Sequence, residues 1–321
     1  MPDHTTAGVP GRLGAKTAAP QARSLARLGR SETFRAYAMN LPMFLMLAIV
    51  VAFPVGYSLW ISLQSYNLRR PQAIRFIGLG NYISVLSSEE FWRTLLTTGI
   101  FTFGSVALEI CVGLMLAFLV NERFVGRGVL RSLILLPWAI PSVVSGIMWQ
   151  WFFNGRFGAF NGVLYTLGII STYQDYFLNA TSAMIVLIFV QVWNAVPFTT
   201  LVLLAALQGI PQDMYEAAKV DGADLLGRLR HITLPWLIQP LMIIMIVATM
   251  NSLRVFDLVY VLTGGGPGDA TRVVTFTAYK KAFDALDFGT ANAYAYILAL
   301  LTLGLGLIYI KSLYTRGEIE Q

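Results

Sequence analysis

Few side chains of this sequence are equipped for bond-making chemistry. Its 321 residues include two histidines, His4 and His231, and one cysteine, Cys111. None stands at metal-ligand or nucleophile–base spacing from another. No metal site, disulfide framework or catalytic constellation is therefore expected. Two glycine-bearing stretches invite a phosphate-loop reading. Gly14-Ala-Lys-Thr17 lacks the spacing, and Gly264-Gly-Gly-Pro-Gly268 lacks the lysine and the following Ser or Thr. There is no Gly-Lys dipeptide anywhere, so no nucleotide or other cofactor is expected on this chain. The glycine run reads instead as a tight turn. What remains is a set of polar side chains embedded in apolar surroundings: Glu109, Gln191, Trp193, Asn194, Asn251, Arg254 and Asp257. Arg254 and Asp257 stand three residues apart, a helical spacing that suits an ion pair. Glu109 has no charged neighbour in its run. A proton-relay carboxylate is one reading of it, and a tie to a neighbouring helix is the preferred one.

The elements that must hold these groups follow from composition. Hydrophobic residues make up 56% and charged residues 12%, with a mean hydropathy of +0.63. A soluble domain carries roughly 45–50% apolar and 25% charged residues. An ordinary soluble enzyme and a disordered chain are thereby excluded. Six apolar stretches, 36–63, 95–120, 129–153, 182–207, 236–262 and 292–314, are each long enough to cross about 30 Å of hydrocarbon as a helix. Helices are required because backbone N–H and C=O groups find no water there, and the alternating pattern of a membrane barrel is absent. The fold expected is all-α, with six transmembrane helices spanning 36–315. Residues 1–35, rich in Ala, Gly, Pro and Arg, read as a cytoplasmic and disordered tail, and 316–321 as a short cytoplasmic end. With both ends inside, fourteen Lys and Arg fall on the cytoplasmic side and eight outside, in keeping with the positive-inside rule. The net charge of +6 thus speaks for membrane orientation and against nucleic acid.

The loop between the fourth and fifth stretches is more than a connector. It runs from Ile210 to Pro235 over 26 residues. Pro211 suits a first helical turn, and Asp213 favours the positive end of the helix dipole. The spacing predicts a helix over 212–220, a turn at Gly222 where a positive φ is allowed, and a second helix starting near Leu225. Leu226, Leu229 and Ile232 fall near one face. Such an element reads either as an amphipathic anchor in the head groups or as a rigid docking helix for another protein, with Pro235 leading straight into a span.

The residues also carry a resemblance. Glu216-Ala-Ala, then Gly222, then Ile232-Thr-Leu-Pro235 resembles the EAA loop of ATP-binding-cassette importer permeases at its full spacing. A second stretch, Phe256-Asp-Leu-Val-Tyr-Val-Leu-Thr-Gly-Gly-Gly-Pro-Gly268 with Ala270-Thr271, Tyr279, Ala282-Phe283 and Gly289, is similar to the carbohydrate-uptake branch. Within that branch it resembles the first permease of the maltose and glycerol-3-phosphate type. The resemblance covers roughly residues 40–315. It implies a non-catalytic subunit of an importer for a sugar or polyol. The implied partners are a second, homologous permease, two cytosolic ATPases that hold the ATP and Mg, an extracytoplasmic solute-binding protein and membrane lipid. It implies that Glu216, Ala217, Ala218, Asp221, Gly222, Ile232, Leu234 and Pro235 couple to the ATPase. Gln191, Trp193, Asn194, Asn251 and Arg254 then become candidates for a solute pathway. Sugars need dense donors and acceptors with an aromatic face, although such residues also tie helices together by hydrogen bonds. The competing transporter reading is an ion-coupled secondary carrier, for which Glu109 would be the one relay carboxylate and no internal repeat is visible.

Overall fold

In the computed structural model, residues 36–317 are described; the expectations for 1–35 and for the last four residues lie outside them. Helix α1 (Ala36–Ser62) is followed by an irregular stretch and a short helix α2 (Gly80–Leu86). Then come α3 (Glu89–Asn121), α4 (Arg127–Ala139), α5 (Ser142–Phe152), α6 (Ala159–Thr166) and α7 (Ala180–Gln208). The last elements are α8 (Gln212–Val220), α9 (Leu225–Leu253), the π turn α10 (Val259–Thr263), α11 (Val274–Tyr279) and α12 (Phe288–Gly317). The only β pairing among the described residues is two isolated bridges, Gln64 to Phe76 and Asn67 to Asp287. The described residues divide between 58 and 59 into two units, and the site described below lies wholly in the second.

Long helices begin where their first N–H groups are capped. Ser88 accepts from the Phe91 N–H at 3.2 Å and leads into Glu89 and Glu90 on the positive end of α3. The Asn179 side chain accepts from Thr181 and Ser182 N–H at 2.9 and 3.3 Å to open α7. These two helices form the centre of the bundle. Along α3 the buried residues Ser105, Glu109, Gly113 and Ala117 recur every four positions, one stripe of a helix face. Gly113 is required there: a Cβ would stand 2.4 Å from Thr199 Cγ2. Small residues of this kind let membrane helices approach closely. Glu109 lies on the same stripe, and its Oε1 accepts from Thr199 Oγ1 at 2.6 Å. The expected tie between helices is the role this carboxyl takes.

Among the described residues five helices are long and apolar enough to span, and the bent pair α4 and α5 makes a sixth when taken as one span. Three sequence expectations change in detail. The third stretch, expected as one helix over 129–153, is two helices set at 102°. Pro141 removes an N–H, and the residue before it, Ile140, is extended at φ −89°, ψ 125°. The fifth span, expected over 236–262, starts earlier and ends sooner, as Leu225–Leu253. A π turn at Leu229–Thr233 lets the helix pass through Pro235, with the Leu234 N–H bonding back to the Leu229 carbonyl. At the other end the chain breaks at Arg254, whose Nε donates to the Met250 carbonyl at 3.1 Å, while Thr275 Oγ1 takes the Val255 carbonyl. This break also undoes the expected Arg254–Asp257 pair. Asp257 lies beyond it and accepts instead from Ser142 Oγ, across the α4–α5 bend, at 3.0 Å.

Candidate functional site

The helix–turn–helix at 212–235 is built by backbone chemistry that the sequence announces. Helix α8 ends in a Schellman motif. The Gly222 N–H bonds to the Lys219 carbonyl at 3.1 Å and the Ala223 N–H to the Ala218 carbonyl at 2.8 Å. Gly222 supplies the left-handed residue, φ +80°, that this closure demands. A Cβ added there would meet nothing within 4 Å, so backbone conformation alone selects glycine. Asp221 is the C-cap residue before it. Asp224 then opens α9, its Oδ1 accepting from the Gly227 N–H at 2.7 Å.

One edge of this element is fastened to the bundle and the other is bare. The Tyr215 hydroxyl and Thr233 Oγ1 are 2.8 Å apart and link α8 to the base of α9. Tyr215 and Ile232 also pack on the cluster of Ala117, Leu203, Leu207 and Leu237, where the ends of α3, α7 and α9 meet. On the bare edge Val220, Leu225 and Leu226 are 88%, 78% and 68% exposed. Glu216 and Ala217 are exposed beside them, Ala218 is half-buried, and Leu234 and Pro235 are exposed at the entry to the span. Tyr215, Thr233 and Asp224 are the members that sequence reading missed. Asp224, three residues before Gly227, carries a cap signature that was there to be read. No spacing rule joins Tyr215 to Thr233.

The opposite end of the bundle is closed by packed loops. Phe153, Phe160 and Tyr176 stack edge-on around a fully buried Asn161. The Asn161 amide bonds to the carbonyls of Asn154 and Gln174 at 3.1 and 2.8 Å. Three of the aromatic residues between 151 and 177 thus form a cap core, while Trp151, Phe157 and Tyr165 remain exposed. The run Gly264–Gly268 is a tight turn, with φ of +58°, +81° and +55° at Gly264, Gly265 and Gly268. Arg272 anchors the following segment to α3 through Glu90 at 2.8 Å, and Lys281 reaches the same carboxylate at 2.7 Å.

The candidate pathway residues are not gathered into one cavity. Arg254 lies on the wall of a cavity of about 590 Å³ between α9, α11 and α12, together with Met250, Thr275 and Thr302. Asn251 is exposed, three residues before it on α9. On α7, Gln191 is half-buried. Asn194 is half-buried, with its Nδ2 and Oδ1 both enclosed and neither hydrogen-bonded. Trp193 packs edge-on against Trp149, 5.3 Å between centroids, and faces a separate apolar groove between α3, α4 and α7. Among the described residues no cluster of His, Cys, Asp and Glu suits a metal ion.

Residues 109–315, from the buried Glu109 through both loops to α12, match the family described as binding-protein-dependent transport system inner membrane component. The chain belongs to this family. Its members are membrane components of transport systems, and the ion-coupled secondary carrier drops out as a reading. The permease is 41% identical over 275 residues to the trehalose/maltose transport system permease protein MalF of Thermococcus litoralis, covering 86% of this chain and 92% of that one. It is 31% identical over 292 residues to the sn-glycerol-3-phosphate transport system permease protein UgpA of Yersinia pestis, covering 90% and 97%. A chain of a bacterial ABC transporter involved in the import of the acidic polysaccharide alginate superposes with a TM-score of 0.77 at 21% identity, over 91% of this chain and 99% of that chain. That likeness speaks for the fold alone.

Proposed function

We propose that this permease is one of two homologous membrane subunits of an ATP-driven importer, and that its solute is an α-linked disaccharide such as trehalose or maltose, or a related polyol. The observation that carries the coupling half of this reading is the bare apolar edge of the 212–235 element, footed through Tyr215 and Ile232 on the ends of three spans. A rigid element with exposed Val220, Leu225 and Leu226 and a fixed attachment to the bundle suits transmission of a push from a docked subunit. In this assignment Glu216, Ala217, Ala218, Asp221, Gly222, Ile232, Leu234 and Pro235 couple the chain to a cytosolic ATPase, Ile232 from the edge packed on the bundle. Two such ATPases bind ATP and Mg, and a solute-binding protein delivers the sugar on the other face. Both termini and the 212–235 element then lie in the cytoplasm, in agreement with the excess of Lys and Arg on that side.

The solute half rests on Gln191, Asn194, Asn251 and Arg254, with Trp193 bracing the α7 turn that carries Asn194. Asn194 is the most telling, since a buried amide with no partner in the chain is costly unless something else uses it. Purification of the assembled transporter tests the whole reading. A second permease and ATPase should co-elute with this chain, and trehalose or maltose with its binding protein should stimulate ATP hydrolysis. Isolation of the chain with no ATPase under mild detergent, or hydrolysis indifferent to every sugar, would overturn it. Asn194→Ala separates pathway from architecture. Loss of about 1 kcal/mol of solute contact lowers uptake roughly fivefold with unchanged yield, whereas a helix-tying role lowers yield instead.

A further inference from the structure

Two guanidiniums meet where α3 ends and α4 begins, without an acid between them. Arg127 Nε donates to the Val120 carbonyl at 2.7 Å, and Arg131 Nη2 to the same oxygen at 3.2 Å. With the Gln208 amide oriented by its hydrogen bonds, its oxygen accepts from Arg131 Nη2 at 2.9 Å and Arg127 Nη2 at 3.1 Å. Both acceptors are neutral groups at helix ends, the last turn of α3 and the last residue of α7. Among the described residues neither arginine has a carboxylate within ion-pair distance. Arg131 Nε is buried and unpartnered. Each guanidinium carries five N–H donors in a planar fork suited to a phosphate, and most remain unused here.

An apolar groove lies further along the same helices. It holds about 640 Å³ and is walled by Val112 and Leu116 of α3, Leu133 and Ile134 of α4, and Ile188 and Val196 of α7. Leu116 lies one helical turn before Val120, and Ile134 follows Arg127 and Arg131 on one face of α4 at i+7 and i+3. The near wall of the groove thus lies about one helical turn from the arginine pair along α3 and α4. The tip between α3 and α4 carries an exposed Phe124 and a fully exposed Val125, as suits a loop at the water–membrane boundary.

We propose that this is a binding site for an anionic phospholipid, with its phosphate on Arg127 and Arg131 and one acyl chain in the α3–α4–α7 groove. An apolar helix of a partner subunit would fill the groove but leave both guanidiniums without a counter-charge. Free phosphate would satisfy the guanidiniums and leave the groove uncovered. A lipid answers both at once. The proposal needs only that the chain crosses a membrane; it does not depend on the sugar reading.

The test uses the full chain with phosphatidylglycerol and phosphatidylcholine of identical tails, with retained lipid counted by native mass spectrometry. Phosphatidylglycerol should be retained at least roughly fivefold over phosphatidylcholine, a guanidinium at an anionic surface giving about that factor. R127Q/R131Q should bring the ratio near one. Leu116→Trp should lower phosphatidylglycerol retention with both arginines intact. A diazirine-tailed phosphatidylglycerol should label the unmodified chain within 112–116 and 133–137, which needs no variant to fold. An unchanged ratio in R127Q/R131Q, or labelling elsewhere, overturns the proposal. So does full displacement by millimolar inorganic phosphate, which would make the ion alone the ligand. A Leu133→Cys crosslink to the second permease, in a Cys111→Ser background, would show a protein helix in the groove and overturn it equally.

Discussion

Two loops of this permease turn on left-handed glycines, and they differ in what surrounds the turn. At Gly265 a Cβ would come within 2.8 Å of the Phe276 ring, and Thr271 nearby is fully buried, bonded to Thr263 Oγ1 and to the Gly266 carbonyl at 2.8 and 2.6 Å. Arg272, only 12% exposed at its side chain, ties that loop back to Glu90. At Gly222 a Cβ would meet nothing, and the apolar residues that flank the turn stay in the open. The first loop has its shape fixed by its own chain. The second has its shape fixed by local backbone bonds and leaves its apolar edge without an internal partner. A self-packed loop serves architecture, and a preformed but bare one suits a docking partner.

The largest effects should come from breaking the self-packed loop. Arg272→Leu strips one of the two cations from Glu90, itself one-third exposed, and should destabilise the folded chain by about 1–3 kcal/mol after allowance for solvent. Gly265→Val adds a positive-φ strain to a clash with Phe276. Both variants should show a lower yield of monodisperse protein and a lower melting midpoint in detergent. Parental midpoints for both would mean that the loop is held by something other than its own packing.

Gly222→Val comes next and should behave in the opposite way. Its cost is the strained φ alone, roughly 1–2 kcal/mol confined to the turn. Accumulation in the membrane should stay near parental while ATPase retention in a pull-down is lost. Gly222→Asn should keep most of that retention, because asparagine enters the left-handed region more readily than other side chains. Equal loss in both variants would point to a requirement for space at Gly222, contrary to the open surroundings found there. Glu216→Lys, on the exposed face, should leave yield and melting unchanged and weaken ATPase retention by a smaller factor, more at low than at high salt. A salt-independent loss would mean that its charge is not what the partner reads.

How far the sequence foresees these features depends on the range of the cause. The Schellman turn at Gly222, the π-helical route through Pro235 and the N-caps have local causes, and the first was legible outright. The 102° bend at Pro141 had its proline in view, yet Pro197 and Pro240 sit inside unbroken helices. Proline alone does not tell a bend from a tolerated kink, since neighbouring packing decides whether freed carbonyls are satisfied. The break after Leu253 has neither Pro nor Gly, and its carbonyls are taken by Arg254 and by Thr275 from a separate helix. That information is tertiary, which is why the Arg254–Asp257 pair read from helical spacing did not form. The pathway residues suffer in the same way: spacing marks them as polar within apolar helices, but which cavity each one faces is set by contacts between helices.

The smallest expected effect is also the finest probe of the contrast between the loops. Tyr215→Phe removes one hydroxyl, and with it the bond to Thr233, while the ring stays packed on the apolar cluster where α3, α7 and α9 meet. Net loss should be about 0.5–1.5 kcal/mol at most, since Thr233 Oγ1 keeps its bond to the Arg228 carbonyl at 3.5 Å. Melting and ATPase retention should both stay within error of the parent, because neither the bundle nor the bare edge is altered. What should change is the stiffness of the link between them. If the 212–235 element passes a push to the spans through Tyr215, then sugar-stimulated ATP hydrolysis should continue while uptake per ATP falls. Phe at 215 with uptake per ATP unchanged would show that Ile232 and the helical continuity of α9 suffice. An equal fall in hydrolysis and uptake would instead mean that Tyr215 shapes the docking surface itself. Thr233→Val, which removes the same bond from the other side, distinguishes these outcomes, because it touches no residue of the exposed edge.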